Sequence, residues 1–280
     1  VGIGYDPVEF NYEEWMPTVP LIHLDYEPAD IDMRVYPAVL NVVGDLAVSL
    51  ARLVALPELD SGWDMGVMKE HRDRMFADLT AEAGSFGPLA VLSILRDSLP
   101  DEGVMTCDVG AHTHLIGQAW KTPHPFGQIM TNGWSSMGFG VPAAIAAKIA
   151  RPELPVACVT GDGGFMMMAG EMATAKRLGL PIVFVVLKDH ALGLIRIKQG
   201  RRGPITDDTL LCCPDTAPSD YEFGVPVLSV STPEACRKAM AQAFEADGPT
   251  IVEAHVELTE YERYILRKHK AEERPVAHTR

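Results

Sequence analysis

Positive charge is in short supply in this sequence. Lys and Arg number 24 against 38 Asp and Glu, a net −14. Such a chain repels a phosphate backbone unless its cations gather on one face, so nucleic acid is not an expected partner. Cysteine is scarce as well: Cys107, Cys158, Cys212, Cys213 and Cys236 form no CxxC pair, which gives neither a disulfide framework nor a zinc site. They read as reduced thiols of the cytoplasm. The nine histidines also lack metal-ligand spacing. His112 and His114, two apart, would share a face on a strand and mean little in a loop, with a purely structural pair as the plain alternative. No apolar run approaches the roughly 18 residues of a membrane span. The opening VGIGYDPVEF has no basic segment leading into an apolar one, so an unsecreted, cytoplasmic chain without a membrane partner is expected. The dinucleotide fingerprint GxGxxG is missing, which disfavours a nicotinamide-dependent oxidoreductase. Internal repeats and low-complexity segments are also wanting.

What is there is the composition of a folded globular chain, 280 residues with 47% hydrophobic and 22% charged residues. The first 57 residues hold two short strands, VGIGYDP and LIHLDYEP, and a helix GDLAVSLARLVALP that starts at Asp45. Two strands and a helix are a fraction of an α/β layer, since a parallel sheet needs neighbours and crossover helices. Residues 58–85 are polar, charged and helix-prone, and suit a linker or surface helix. From residue 86 to 280 helix and strand alternate: PLAVLSILRDSLP, GVMTCDVG, GVPAAIAAKIA, PVACVTGDGG, FMMMAGEMATAKRLG, PIVFVVLKD, TPEACRKAMAQAFEADG and PTIVEAHVE. This predicts an α/β fold with a doubly wound parallel sheet, preceded by a partial Rossmann-like domain. In such sheets chemistry gathers at the carboxyl ends of strands, here CDVG, TGDGG and LKDHALG.

Gly161-Asp162-Gly163-Gly164 lies between an apolar strand and a helix. Glycines there admit a tight turn and present amides to an anion, while Asp162 offers a hard oxygen donor to a divalent cation. A strand-to-helix turn with a capping Asp is the plain alternative. Asp189 follows Asp162 by 27 positions, about the length of a crossover helix plus the adjacent parallel strand, which sets the two carboxylates at neighbouring strand ends. Two carboxylates with room for water and phosphate oxygens suit Mg²⁺ or Ca²⁺.

These residues resemble the thiamine diphosphate enzymes. GDGGFMMMAGEMATAKRLGLPIVFVVLKDHALGLI is similar to their GDG motif followed some 27 residues later by Asn-Asn. TNGWSSMGFGVPAAIAA resembles their Gly-x-x-x-Met-Gly-[FY]-Gly segment, and CDVGAHTH their DVGQHQ segment. GYDPVEF, LIHLDYEPADID and VVGDLAVSL look like the end of a central domain, and the likeness is greatest to the acetolactate synthase group. The resemblance implies that Asp162, Asp189 and the Ala191 carbonyl hold Mg²⁺. It implies that Gly161, Gly163, Gly164, Ala111 and His112 line the diphosphate, mainly through backbone groups. Met137 would support the bend between the two cofactor rings, a core methionine being the bland alternative, and the Ser135 carbonyl would accept a hydrogen bond from the aminopyrimidine.

The sequence departs from that pattern at three positions. Lys188 and Asp189 stand for the Asn pair, and Lys198 for a tryptophan of the branched-chain synthases. Residues 200–227 follow the family poorly. The implied activity is decarboxylation and carboligation of a 2-oxo acid such as pyruvate, a carbon–carbon lyase or transferase reaction. A cofactor-binding chain without turnover is the alternative from another class. The glutamate that activates the cofactor sits, in this family, on a separate pyrimidine-binding domain. Glu9, Glu13, Glu14 and Glu171 are poor substitutes for it. The expectation is therefore a homo-oligomer, or a partner chain carrying that domain, with the site completed across an interface.

Overall fold

The structure, a computed structural model, describes residues 1–4, 20–30, 39–58, 62–79, 86–131, 135–203, 207–211 and 223–265. Glu9, Glu13, Glu14, Cys212 and Cys213 lie outside the described residues, as do 204–206 and 212–222 of the 200–227 segment and the Asn132–Trp134 part of the Met137 motif. The chain divides into two compact units, Val1–Glu70 and His71–Arg280. The division falls inside the segment 58–85.

In the first unit β1 (Gly2–Ile3), β2 (Leu21–Asp25) and β3 (Val39–Val43) form a parallel sheet in the order β1-β2-β3. β3 adds a strand to the two that the sequence marked. The helix α1 (Leu46–Val54) begins where expected, with Asp45 Oδ1 accepting from Val48 N–H at 2.9 Å. β3 is mostly exposed and α1 buries none of its residues. α2 (Met65–Asp78), on the boundary, buries none either, as its even mixture of polar and apolar positions implies.

The second unit begins with α3 (Pro88–Ser98), β4 (Val104–Cys107), α4 (Ala111–Ala119), β5 (Gln128–Ile129), α5 (Gly140–Ala150) and β6 (Val156–Gly161). It continues with α6 (Asp162–Met168), α7 (Glu171–Arg177), β7 (Ile182–Lys188), α8 (Gly193–Arg202), β8 (Val227–Val230), α9 (Pro233–Phe244), β9 (Thr250–His255) and α10 (Thr259–Ile265). Six parallel strands run in the order β5-β4-β6-β7-β9-β8. The doubly wound sheet expected from the alternation is therefore present.

Its core is built by strand periodicity. Val183, Val185 and Leu187 face one core with α3, α4, α9 and α10, while Ile182, Phe184 and Val186 face another with α5, α6 and α7. Both faces of β7 are covered, which is why its sequence is a continuous apolar run.

Two local expectations need correction. The stretch FMMMAGEMATAKRLG is not one helix: it breaks at Ala169-Gly170 into α6 and α7, as the low helix propensity of glycine favours. His112 and His114 lie on neither strand nor loop but on α4, where two positions separate side chains by about 200°. His112 is buried and His114 half-buried accordingly. Among the described residues no helix is long and apolar enough to cross a membrane.

Candidate functional site

β4, β6 and β7 are adjacent, and each runs out into one of the three segments singled out from the sequence. The register pairs Gly161 with Leu187, so Asp162 and Asp189 leave neighbouring strand ends. Asp162 opens α6 and is only 8% exposed. One oxygen, Oδ1, accepts from Gly163 N–H at 2.8 Å; the other, Oδ2, accepts from His190 N–H at 2.8 Å and so links the two strand ends. Asp189 Oδ1 accepts from Ala191 N–H at 3.0 Å.

Burial, then the neighbouring charge of Asp162, pushes the Asp189 carboxyl up to about 7. Asp162 is raised too, chiefly by burial, against the two backbone bonds that favour its charge. Among the described residues the hydrogen bonds to the two carboxylates come from backbone N–H groups, and the charge of Lys188 acts on Asp162 only weakly. The pair is placed to gain from a hard divalent ion, which would remove their mutual repulsion. Ala191 lies beside Leu210 in an isolated antiparallel bridge made by Leu192 N–H to Thr209 O (2.8 Å) and Leu211 N–H to His190 O (2.9 Å). Those bonds use the groups flanking Ala191, so its own carbonyl stays out of the ladder. Among the described residues no group of three or more His, Cys, Asp or Glu could hold a metal. Two carboxylates and a carbonyl leave coordination positions for water and a ligand's oxygens.

Gly163 and Gly164 fall in the first turn of α6, not in a free loop. A Cβ on Gly163 would stand 3.2 Å from the Met137 methyl and 3.1 Å from Leu192 Cδ2, so methionine and glycine motifs meet there. A Cβ on Gly193 would lie 3.4 Å from Asp189 Oδ2 and 3.5 Å from Ala111 Cβ, which brings the start of α4 to the carboxylate pair. Gly110, ahead of α4, has no side chain with which to cap the first-turn amides of Ala111 and His112. The His112 ring is buried and donates from Nε2 to the Asp108 carbonyl at 3.1 Å. Burial lowers its pKa to about 4, so it is neutral at ordinary pH. Ser135 is exposed, two residues ahead of Met137.

Sequence reasoning passed over Asp108. It is 0% exposed, and its carboxylate accepts from Val109 N–H (2.7 Å), Gly138 N–H (2.9 and 3.1 Å), Phe139 N–H (3.1 Å) and Thr160 Oγ1–H (2.9 Å). The DVG segment was visible, but the donors are mostly backbone amides. Tyr261 on α10 was passed over too; it is buried, and after desolvation the charges of Asp189 and Asp162 push its phenol well above the ordinary value. Lys188 turns to Glu253 (3.2 Å), which also holds His255 at 3.0 Å, while Ser229 Oγ lies 2.9 Å from His255 Nε2. Lys198 is exposed on α8, and its charge helps lower the pKa of half-buried His114, mainly an effect of burial.

A parallel sheet that gathers carboxylates and helix-opening glycines at adjacent strand ends is an α/β domain of the kind that binds its ligands at the carboxyl ends of its strands. Residues 108–254 match the C-terminal TPP binding domain of the thiamine pyrophosphate enzymes, and the chain belongs to that family. It is 30% identical over 270 residues to the acetolactate synthase large subunit of Parasynechococcus marenigrum, covering 91% of this chain and 42% of that protein. It is also 30% identical over 265 residues to acetolactate synthase isozyme 2 large subunit of Escherichia coli (94% and 47%). Against acetolactate synthase of Bacillus subtilis the identity is 28% over 268 residues (92% and 46%). The chain thus spans under half the length of these relatives.

Proposed function

We propose that this chain holds the diphosphate end of thiamine diphosphate through a divalent cation, Mg²⁺, as part of an acetolactate synthase-like enzyme acting on a 2-oxo acid such as pyruvate. The observation that carries this is the Asp162–Asp189 pair at neighbouring strand ends, the first buried and the second half-buried, each carboxyl raised above its ordinary value. The residues present fit the cofactor. Two carboxylates and the Ala191 carbonyl are a donor set for a hard ion that keeps sites open for diphosphate oxygens. Gly163 leaves the space that a Cβ would take from the Met137 methyl and Leu192.

When bound, thiamine diphosphate supplies the electron sink that loss of carbon dioxide from a 2-oxo acid needs. The chain's own residues serve to bind and orient it. Asp162, Asp189 and Ala191 would hold the ion and the amides of Ala111, His112, Gly163 and Gly164 would line the diphosphate; Gly161 ends β6 so that the chain turns at once into α6. Met137, whose methyl lies by Gly163, would orient the cofactor, and the Ser135 carbonyl would accept from its amino group. A pyrimidine-binding domain, on the same protein or on a partner or second copy, completes the site. Similarity to synthases over about nine-tenths of the chain weighs against a role without turnover.

Calorimetric titration of thiamine diphosphate with Mg²⁺ tests the site. Wild type should bind, and Asp162→Ala or excess chelator should abolish binding; unchanged affinity in either would refute it. Carbon dioxide released from pyruvate by the complete assembly tests the reaction.

A further inference from the structure

We infer that Asp108 is a positioning residue, tying the Met137 segment to the glycine turn of α6 and so fixing where the Met137 side chain stands over Gly163. The inference rests on the cofactor site proposed above and deepens it. A carboxylate removed from water persists only if its oxygens are hydrogen-bonded, and Asp108 has donors from three stretches of chain. Val109 is its own neighbour, Gly138 and Phe139 come 30 and 31 positions later, and Thr160 comes 52 positions later at the end of β6. Its backbone is held as firmly: Asp108 N–H donates to Val159 O at 2.9 Å, and its carbonyl accepts from Thr113 Oγ1–H at 2.8 Å.

Two glycines fit this arrangement. A Cβ on Gly164 would overlap Asp108 Oδ2, and one on Gly140 would lie 2.8 Å from Asp108 N. Thr106 Oγ1 adds a bond to Gly140 O at 2.9 Å. The peptide that follows Met137 is therefore clamped. Its N–H, on Gly138, reaches both carboxylate oxygens, and Gly138 takes φ +88°, a conformation that suits glycine. With that peptide fixed on one side and Gly163 on the other, the methionine has little freedom to move relative to the diphosphate cradle.

Asp108→Asn keeps the shape and tests the claim without unfolding the chain. The amide oxygen can still accept from Val109, Gly138 and Phe139, and Thr160 Oγ1 has the Gly161 carbonyl at 3.0 Å as another acceptor. What is lost is the charge and one of the two Gly138 contacts. In the protein without cofactor, the Gly138 and Phe139 amides should exchange about tenfold faster. The Met137 methyl resonance should shift, while those of core Met105 and Met240 stay in place. In the complete holoenzyme kcat should fall about tenfold with KM and cofactor affinity within about threefold, and the variant should add nothing in a Met137→Ala background. Unchanged exchange with an unmoved Met137 resonance overturns the inference, as does an equal fall in kcat with and without Met137. If wild type fails to bind thiamine diphosphate, the site assignment fails, and the exchange and resonance measurements still decide whether the tether exists.

Discussion

Three carboxylates sit at three adjacent strand ends, and they are treated in opposite ways. Asp108, after β4, is surrounded by donors from the protein itself. Asp162, after β6, is buried and Asp189, after β7, half-buried; burial and the charge of Asp162 push Asp189 up to about 7. A buried charge that the protein satisfies is part of the scaffold; buried charges that the protein sets side by side are a place for something of opposite sign. The scaffold acid and the proposed ligand-holding acids thus differ chiefly in their donors among the described residues, five hydrogen bonds to Asp108 against two to Asp162 and one to Asp189.

Deleting the scaffold acid should break the contrast most visibly. Asp108→Ala strands the Gly138 and Phe139 N–H groups in the interior and should cost about 3–5 kcal/mol in urea unfolding, or prevent folding. Asp162→Ala should leave the fold's stability within about 1 kcal/mol in the absence of a cation, because it also removes a repulsion, while lowering affinity for thiamine diphosphate with Mg²⁺ at least about a hundredfold. Equal destabilisation by the two changes would erase the distinction.

The pair also predicts a pH dependence. Both carboxyls titrate higher in the folded chain than the ordinary 3.8, so the folded state binds protons more tightly. Without a cation, stability should fall as pH rises from about 4 through about 7, and Asp189→Asn should flatten that fall. Urea midpoints measured at about pH 5 and about pH 8 should show Mg²⁺ with thiamine diphosphate stabilising more at the higher pH, where both acids are charged. A flat wild-type profile without ligand would contradict the assignment of strain to this pair. Met137→Ala should have a smaller effect, reducing turnover of the complete enzyme about tenfold with cofactor affinity nearly unchanged, since the diphosphate still anchors the molecule.

Much of this was legible in the sequence, for physical reasons. β6 and β7 are short, dense, β-branched runs that only a doubly covered strand explains, and the 27-residue interval from Asp162 to Asp189 is one crossover. Asp45 signalled its helix because a cap is a local side-chain bond. The elements that were missed lack such marks. α4 and α8 start directly from site segments, behind Gly110 and at Gly193, and were not among the helices the sequence marked. β5 has two residues and β8 four, and both lie at sheet edges. Asp108 was hidden because its partners are backbone amides, which leave no residue signature; only the glycines forced by its proximity, Gly140 and Gly164, carry a trace of it.

The smallest expected effect sharpens the comparison at the edge of the site. Lys188 occupies a position where the family pattern has asparagine, and it pairs with Glu253 at 3.2 Å, both side chains mostly covered. By location it is a neighbour of Asp162, whose carboxyl it slightly favours in the charged form. Its own partner, however, is not dependent on it: Glu253 also meets His255 at 3.0 Å and Ser229 Oγ at 3.4 Å. Lys188→Asn should therefore cost only about 1 kcal/mol, well short of Asp108→Ala, because the glutamate left behind keeps two polar contacts. A double-mutant cycle of Lys188→Asn with Glu253→Gln measures the pair directly. A coupling comparable to the whole Asp108 effect would show that the Lys188 pair belongs with the scaffold acid; a coupling near zero would place it among replaceable contacts around the site.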